Sequence, residues 1–216
     1  MAHILILPYP SQGHINPMLQ FAMDLASKGP KVTLVTTSYI ANSIKAQIGN
    51  VSITSISDGY DEGGFQSSPN LEAYLDSLEV VGSKTLEELI ENYNRSTEPF
   101  TCMVFDTYVP WGDKVAQSVG LPSIAFSTQS CSVSAIYHQV KKGVLHVPEP
   151  GITVELFGLP LMERADFPSL AVNDGPYPTL TAVNLNQFNG TKDDWVLFNS
   201  FDELETEVRP YGSVYT

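Results

Sequence analysis

The chain has 216 residues, 43% of them hydrophobic and 10% aromatic, and a formal net charge of −13. That length and apolar content suit one or two folded domains and exclude a disordered chain. The acidic balance argues against a nucleic-acid or anionic-membrane surface, which needs a basic patch, but leaves room for a local phosphate site. Two cysteines, Cys102 and Cys131, make neither a disulfide framework nor a zinc pattern, and free thiols suit a reducing compartment. No run approaches the ~20 apolar residues of a membrane span, and the amino terminus lacks the basic and apolar regions of a signal peptide. The expectation is a soluble, cytoplasmic protein, in which the sequons at Asn50, Asn94 and Asn189 are chance matches.

His3 to Leu7 is a short apolar run of the kind that forms a buried parallel strand. Pro8 to Gly13 is a stiff polar loop, and a helix follows for which Asn16 suits the N-cap and Pro17 the first turn. Ile15, Met18, Leu19, Ala22, Leu25 and Ala26 share one face of that helix, and Gly29 suits its end. Val32–Thr37 is a second strand, residues 39–48 a short helix, and Val51–Ile56 a third strand. After the turn residues of 58–64 comes a long helix, with Ser68 as N-cap and Pro69 in its first turn. Its apolar stripe runs from Leu71 to Tyr93, with Gly82 as a weak point.

Cys102–Asp106 is a fourth strand ending in an acid, and Val109–Val119 a helix. Pro122–Phe126 is a fifth strand, followed by a helix to about Lys142. Residues 146–178 read as an extended, loop-rich excursion. A helix near 179–188, a last strand at Trp195–Asn199 and a short acidic helix at Phe201–Val208 complete the chain. Strands alternating with helices imply an α/β fold, a parallel sheet covered by helices.

In such a sheet, ligands bind at the carboxyl ends of strands where the strand order reverses. His14 follows the first strand and Asp106 ends the fourth, so a doubly wound order would place both at one crevice. A carboxylate beside an imidazole fixes its tautomer and stabilises the imidazolium, which makes the pair a base. The alternative for Asp106 is a helix cap or turn residue. The first loop has no glycine-rich phosphate motif, and the chain has no G-x-S-x-G nucleophile elbow. The nucleophile is therefore expected on a substrate, as a hydroxyl, carboxyl or thiol. Thr128 and Gln129 could bond a polar ligand or cap a helix. His3, His138 and His146 weigh less, and no spacing indicates a metal site.

Pro8-Tyr-Pro-Ser-Gln-Gly-His-Ile-Asn-Pro17 resembles the opening motif of the plant UDP-sugar-dependent glycosyltransferases of small molecules. Cys102-Met-Val-Phe-Asp-Thr-Tyr-Val-Pro-Trp111, Phe126-Ser-Thr-Gln-Ser-Cys131, Leu159–Pro168 and Trp195–Glu205 are similar to further blocks in the same order. The resemblance covers residues 1–208 and implies the amino-terminal half of a two-domain GT-B enzyme, Rossmann-like with helices on both faces. By the same resemblance His14 is the base that deprotonates the acceptor and Asp106 its partner, with inversion at the sugar and no metal or other cofactor. Thr128 and Gly13 fall near the donor sugar, and Ser11 and Tyr177 among acceptor contacts. The implied substrates are UDP-glucose and a phenolic, carboxylic or similar small acceptor. Residues 209–216 are unlike the family's continuation, and its UDP-sugar block, beginning Trp-Ala-Pro-Gln, is absent. The expectation is an acceptor-side half with no donor domain and little or no transferase activity by itself. A non-catalytic binding module and a truncated remnant are the alternatives.

Overall fold

The computed structural model describes residues 1–44, 47–156, 158–172, 177–187, 196–201, 203–205 and 208. The elements run β1 (His3–Leu7), α1 (Gln12–Ser27), β2 (Lys31–Thr37), α2 (Ser38–Ser43), β3 (Gln47–Ile48), β4 (Val51–Ile56), α3 (Leu71–Asn94), β5 (Cys102–Asp106), α4 (Trp111–Ser118), β6 (Ser123–Ser127), α5 (Cys131–Lys141), α6 (Pro178–Asn186) and β7 (Val196–Phe198). Single 3-10 turns lie at Gly64–Ser67, Arg164–Asp166 and Ser169–Ala171. The strand order is β3-β4-β2-β1-β5-β6-β7. β1 pairs in parallel with β2 and with β5, so the order reverses beside β1.

The chain divides into two compact units, Met1–Ala125 and Phe126–Thr216, and β6 runs across the boundary. In the first unit Leu5, Ile6, Val32, Leu34, Val35 and Met103 are fully buried. Neighbouring residues on a strand point to opposite faces, so unbroken burial means that both faces of the central strands are covered. Met18, Ala22 and Ala26 of α1 and Tyr74, Leu78, Gly82, Leu86 and Ile90 of α3 supply buried helix faces at the expected spacing. The second unit has its own core of Ile136, Tyr137, Leu145, Leu156, Met162, Phe167 and Ala171.

Several elements differ from the sequence reading. α1 starts at Gln12, four residues ahead of the expected Asn16 cap, because the Ser11 carbonyl already receives the amides of His14 at 3.0 Å and Ile15 at 2.8 Å. Pro17 consequently lies inside the helix, where it has no amide to offer the Gly13 carbonyl. α3 starts at Leu71 with Asn70 as its cap, the Asn70 Oδ1 accepting the Ala73 amide at 2.8 Å, so Ser68 and Pro69 precede it. The helix expected over 39–48 stops at Ser43. Gln47 and Ile48 instead pair antiparallel with β4 across a turn whose Gly49 has φ +58°, which makes the sheet mixed at that edge.

Gly82 is not a weak point in α3. A Cβ there would stand 3.1 Å from Cη2 of Trp111, so the absence of a side chain is what lets α4 approach. The excursion after α5 is folded over that helix rather than extended, with Val154 and Met162 bridged and Phe167 buried. Of the expected helix at Phe201–Val208, the described residues form turns, and residues 202, 206 and 207 lie outside the description. The last strand begins at Val196, Trp195 also lying outside it.

Glu205 closes the amino end of α5: its carboxylate accepts the amides of Cys131 and Ser132, each at 2.9 Å, and the hydroxyls of Ser132 and Ser200. Burial by itself would raise its pKa, but the bonds from Ser132, Ser200 and the two amides outweigh burial and hold it at about 2. The stabilisation is therefore complete above the usual value of 4.5 and is lost as pH falls towards about 2. Glu205→Gln is expected to remove that acid-side loss, read from thermal unfolding across this pH range. Gly82→Leu, which forces a side chain against Trp111, is expected to lower the unfolding free energy by about 1–3 kcal/mol in urea titration.

Candidate active site

The β1–β5 register pairs Leu7 with Phe105, so Asp106, the last residue of β5, stands beside Pro8, the first residue after β1. Pro8 and Pro10 carry the chain a short way to Ser11, and α1 begins at once. His14 therefore stands in the first turn of a helix that rises beside the end of β5. Its Nδ1 lies 2.7 Å from Oδ2 of Asp106. A carboxylate only accepts, so Nδ1 carries the proton and the lone pair is on Nε2. The Asp106 side chain is fully buried and that of His14 is 16% exposed.

Asp106 has further donors. The Tyr108 amide gives to Oδ1 at 2.9 Å and the Tyr9 amide to Oδ2 at 3.3 Å. The acid thus orders its own turn and also holds the imidazole, so the two readings open at the sequence level coexist. Two tyrosine rings pack on the histidine, Tyr108 at 4.5 Å between centroids and Tyr9 at 5.2 Å, both near edge-to-face, and lie 5.9 Å from each other. Burial pushes the Tyr9 phenol above its ordinary pKa, and the Asp106 charge adds to this. Tyr9 therefore stays a neutral hydrogen-bonding wall at neutral pH. The arrangement can accept a proton from a bound hydroxyl or carboxyl group and store the resulting charge against a buried anion.

Ser11 and Gly13 lie in the turn that carries His14, Ser11 as the N-cap residue and Gly13 exposed, with nothing within 4 Å of a Cβ built there. The first unit thus brings Ser11, Gly13, His14 and Asp106 together. Thr128 and Tyr177 belong to the second unit: Thr128 directly follows β6, and Tyr177, 48% exposed, precedes α6. Tyr9 and Tyr108 had no role in the sequence reading. Their signal was positional, since each is within two residues of a strand end that carries the pair.

Other candidates resolve into structural parts. His3 is buried in β1, its ring nitrogens 2.9 Å from the Glu98 carbonyl and 2.8 Å from Thr33 Oγ1, and burial lowers its pKa. Burial also lowers that of His138. Both cysteines are free and burial raises their thiol pKa values, Cys131 to about 11, which leaves them poor nucleophiles. Among the described residues no group of three or more His, Cys, Asp and Glu could hold a metal ion, and no helix is long and apolar enough to cross a membrane.

No family model matches the chain. It is 45% identical over 221 residues to indole-3-acetate beta-glucosyltransferase of Zea mays, an alignment covering 95% of this chain and 47% of that protein. It is 41% identical to UDP-glycosyltransferase 74F2 of Arabidopsis thaliana, over 94% of this chain and 44% of that one. The crystal structure of Os79 from O. sativa in complex with UDP superposes with a TM-score of 0.87 at 34% identity, over 97% of this chain and 48% of that one. Phytolacca americana UGT2, at 17% identity and a TM-score of 0.76, shares the fold. The chain thus spans about half the length of the relatives it matches. The shared order of elements is that of the Rossmann-like amino-terminal half of a GT-B glycosyltransferase. By descent the chain belongs with the amino-terminal halves of the plant family 1 UDP-glycosyltransferases.

Proposed function

We propose that the chain supplies the acceptor-binding half, and the base, of a UDP-glucose-dependent glucosyltransferase acting on a small plant metabolite with a phenolic, carboxylic or similar nucleophile. The observation that carries this reading is the 2.7 Å contact between His14 and a fully buried Asp106 at the switch point of the sheet. With Nδ1 committed to the carboxylate, Nε2 takes the acceptor proton. The freed oxygen attacks the anomeric carbon of glucose, and the bond to UDP breaks with its electron pair leaving on the diphosphate, which inverts the configuration. Asp106 stabilises the imidazolium formed in that step. Ser11 and Tyr177 are proposed to contact the acceptor, and Gly13 and Thr128 the donor sugar.

Support for the substrate classes comes from the relatives' names: one is a glucosyltransferase of indole-3-acetate, and Os79 is described in complex with UDP and with a trichothecene. The free thiols of both cysteines suit a reducing setting, and we propose the cytoplasm. The groups that hold the uridine diphosphate are proposed to lie in a donor half of the kind that completes the relatives.

The test joins this chain to the carboxyl-terminal half of the Zea mays relative and follows glucose transfer from UDP-glucose to a panel of aryl acids and phenols. His14→Ala is expected to lower kcat by about 10²–10⁴-fold. Asp106→Asn is expected to lower it by about 10–10³-fold, since the lost carboxylate is worth 1–3 pKa units of base strength. Full activity of His14→Ala would overturn the reading. EDTA is expected to leave the rate unchanged, because the proposed base needs no metal to generate the nucleophile. The chain alone is expected to bind aryl acids without turning over UDP-glucose.

A further inference from the structure

The unit Phe126–Thr216 holds a cavity of about 290 Å³ at the carboxyl end of α5. Its walls follow from how the chain leaves that helix. Gly143, with φ +68°, turns the backbone, and the amides of Val144 and Leu145 both donate to the Gln139 carbonyl at 3.1 Å. Val144 and Leu145 are thereby held against the last turn of α5. The chain then runs out and returns through the Val154–Met162 bridge, and the 3-10 turns Arg164–Asp166 and Ser169–Ala171 complete the enclosure. Leu145 and Ala171 belong to the buried core of this unit, and Val140, Val147 and Val172 pack against it half-buried. These five side chains make an apolar lining.

The polar side chains of the lining are Arg164, half-buried, and His146, exposed. No carboxylate is among the lining residues. The acids next to Arg164 in the chain serve their own turn: Glu163 and Asp166 form a capping box, in which the Asp166 carboxylate accepts the Glu163 amide at 2.8 Å. A guanidinium presents a planar fork of donors that matches a carboxylate, and an imidazole adds a further N–H. The two parts of the lining therefore ask for different things. The aliphatic wall gains from an apolar body and Arg164 from an anion. An inorganic anion meets only the second demand, and a neutral ring only the first, leaving a half-buried charge without a counter-charge. The volume stands at the lower end of the ~300–1,000 Å³ usual for ligand pockets, which suits one ring or a short chain.

We propose that this cavity is a binding site for a small organic carboxylate, its apolar body lying among the five aliphatic side chains and its carboxylate on Arg164, beside His146. None of these residues belongs to the His14–Asp106 pair or to the proposed sugar and acceptor contacts, so the inference stands independently of the acceptor reading. A carboxylic acid is thereby bound by residues that take no part in proton abstraction.

The experiment follows the alanine, valine and leucine methyl resonances of the purified chain during titration with phenylacetate. Phenylacetamide serves as the neutral counterpart, and inorganic phosphate as an anion with no apolar body. Phenylacetate is expected to shift the methyls of Val140, Ala171 and Val172 in a saturable way. Arg164→Gln is expected to weaken this binding at least about tenfold, as the loss of a charge-assisted pair does. Phenylacetamide is expected to bind the wild type at least about tenfold more weakly than the acid. Val140→Trp, which puts bulk into the cavity from a half-buried position on α5, is expected to abolish the shift at Ala171. No saturable shift of these methyls up to about 10 mM acid overturns the inference. So does equal binding by Arg164→Gln, equal binding of the amide, or an equal effect of phosphate. Shifts confined to methyls of residues 1–125 overturn it too and leave the acceptor reading standing. Binding in this cavity by a chain that transfers no glucose when joined to a donor half upholds it and overturns that reading instead. Arg164→Lys, which keeps the charge and loses the fork, decides the matter if Arg164→Gln does not fold: a partial loss of affinity upholds the site and unchanged affinity overturns it.

Discussion

A carboxylate with no solvent exposure must find hydrogen-bond donors inside the protein, and Asp106 finds three: the amides of Tyr9 and Tyr108 and the imidazole of His14. Each comes from a different part of the chain's design. The Tyr108 amide belongs to the turn that leaves β5, the Tyr9 amide to the loop that leaves β1, and the imidazole to the first turn of α1. All three meet only because β1 and β5 are parallel neighbours in one register. A one-residue slip would turn every side chain of one strand to the other face and strand the acid. The pairing of two central strands and the holding of the His14 imidazole by Asp106 are thus one constraint.

The chain is strongly acidic, with 24 Asp and Glu against 11 Lys and Arg, and among the described residues Asp106, Asp58 and Glu205 are held without a lysine or arginine. Asp106 uses amides and an imidazole, Asp58 an amide and a phenol, and Glu205 two amides and two hydroxyls. Such bonds are directional, so each acid fixes a geometry as well as satisfying a charge. Asp106 fixes a tautomer, Asp58 fixes the loop between β4 and α3, and Glu205 fixes the segment after β7 onto the start of α5. The exposed pairs, such as Arg95 with Glu91, have no comparable constraint and add little.

Much of this was legible in the residues. Short apolar runs marked the main strands, because burial on both faces demands continuous apolar sequence. The facing of His14 and Asp106 followed from the topology that alternating elements impose. Local signals misled where backbone bonding overrode them. Asn16 and Pro17 look like a helix start, but the Ser11 carbonyl had already collected the first amides. Gly82 looks like a break until Trp111 is seen against it. In the acidic stretch expected to be a helix, the described residues 203–205 form a turn, from which the Glu205 carboxylate reaches the open amides of α5.

The sequence by itself determined the α/β class, the buried strands and the family resemblance, because these depend on periodicity and on residue types at short spacings, and the alternation of strands and helices put His14 and Asp106 at one edge of the sheet. Only the tertiary structure decided which nitrogen of His14 meets Asp106, that Tyr108 packs on the His14 ring, and that Asp58, by its place in the chain merely a turn residue, reaches Tyr74 on another element. Those depend on contacts between residues 16 to 97 positions apart, and no local pattern encodes a distance that the packing of the whole sheet sets.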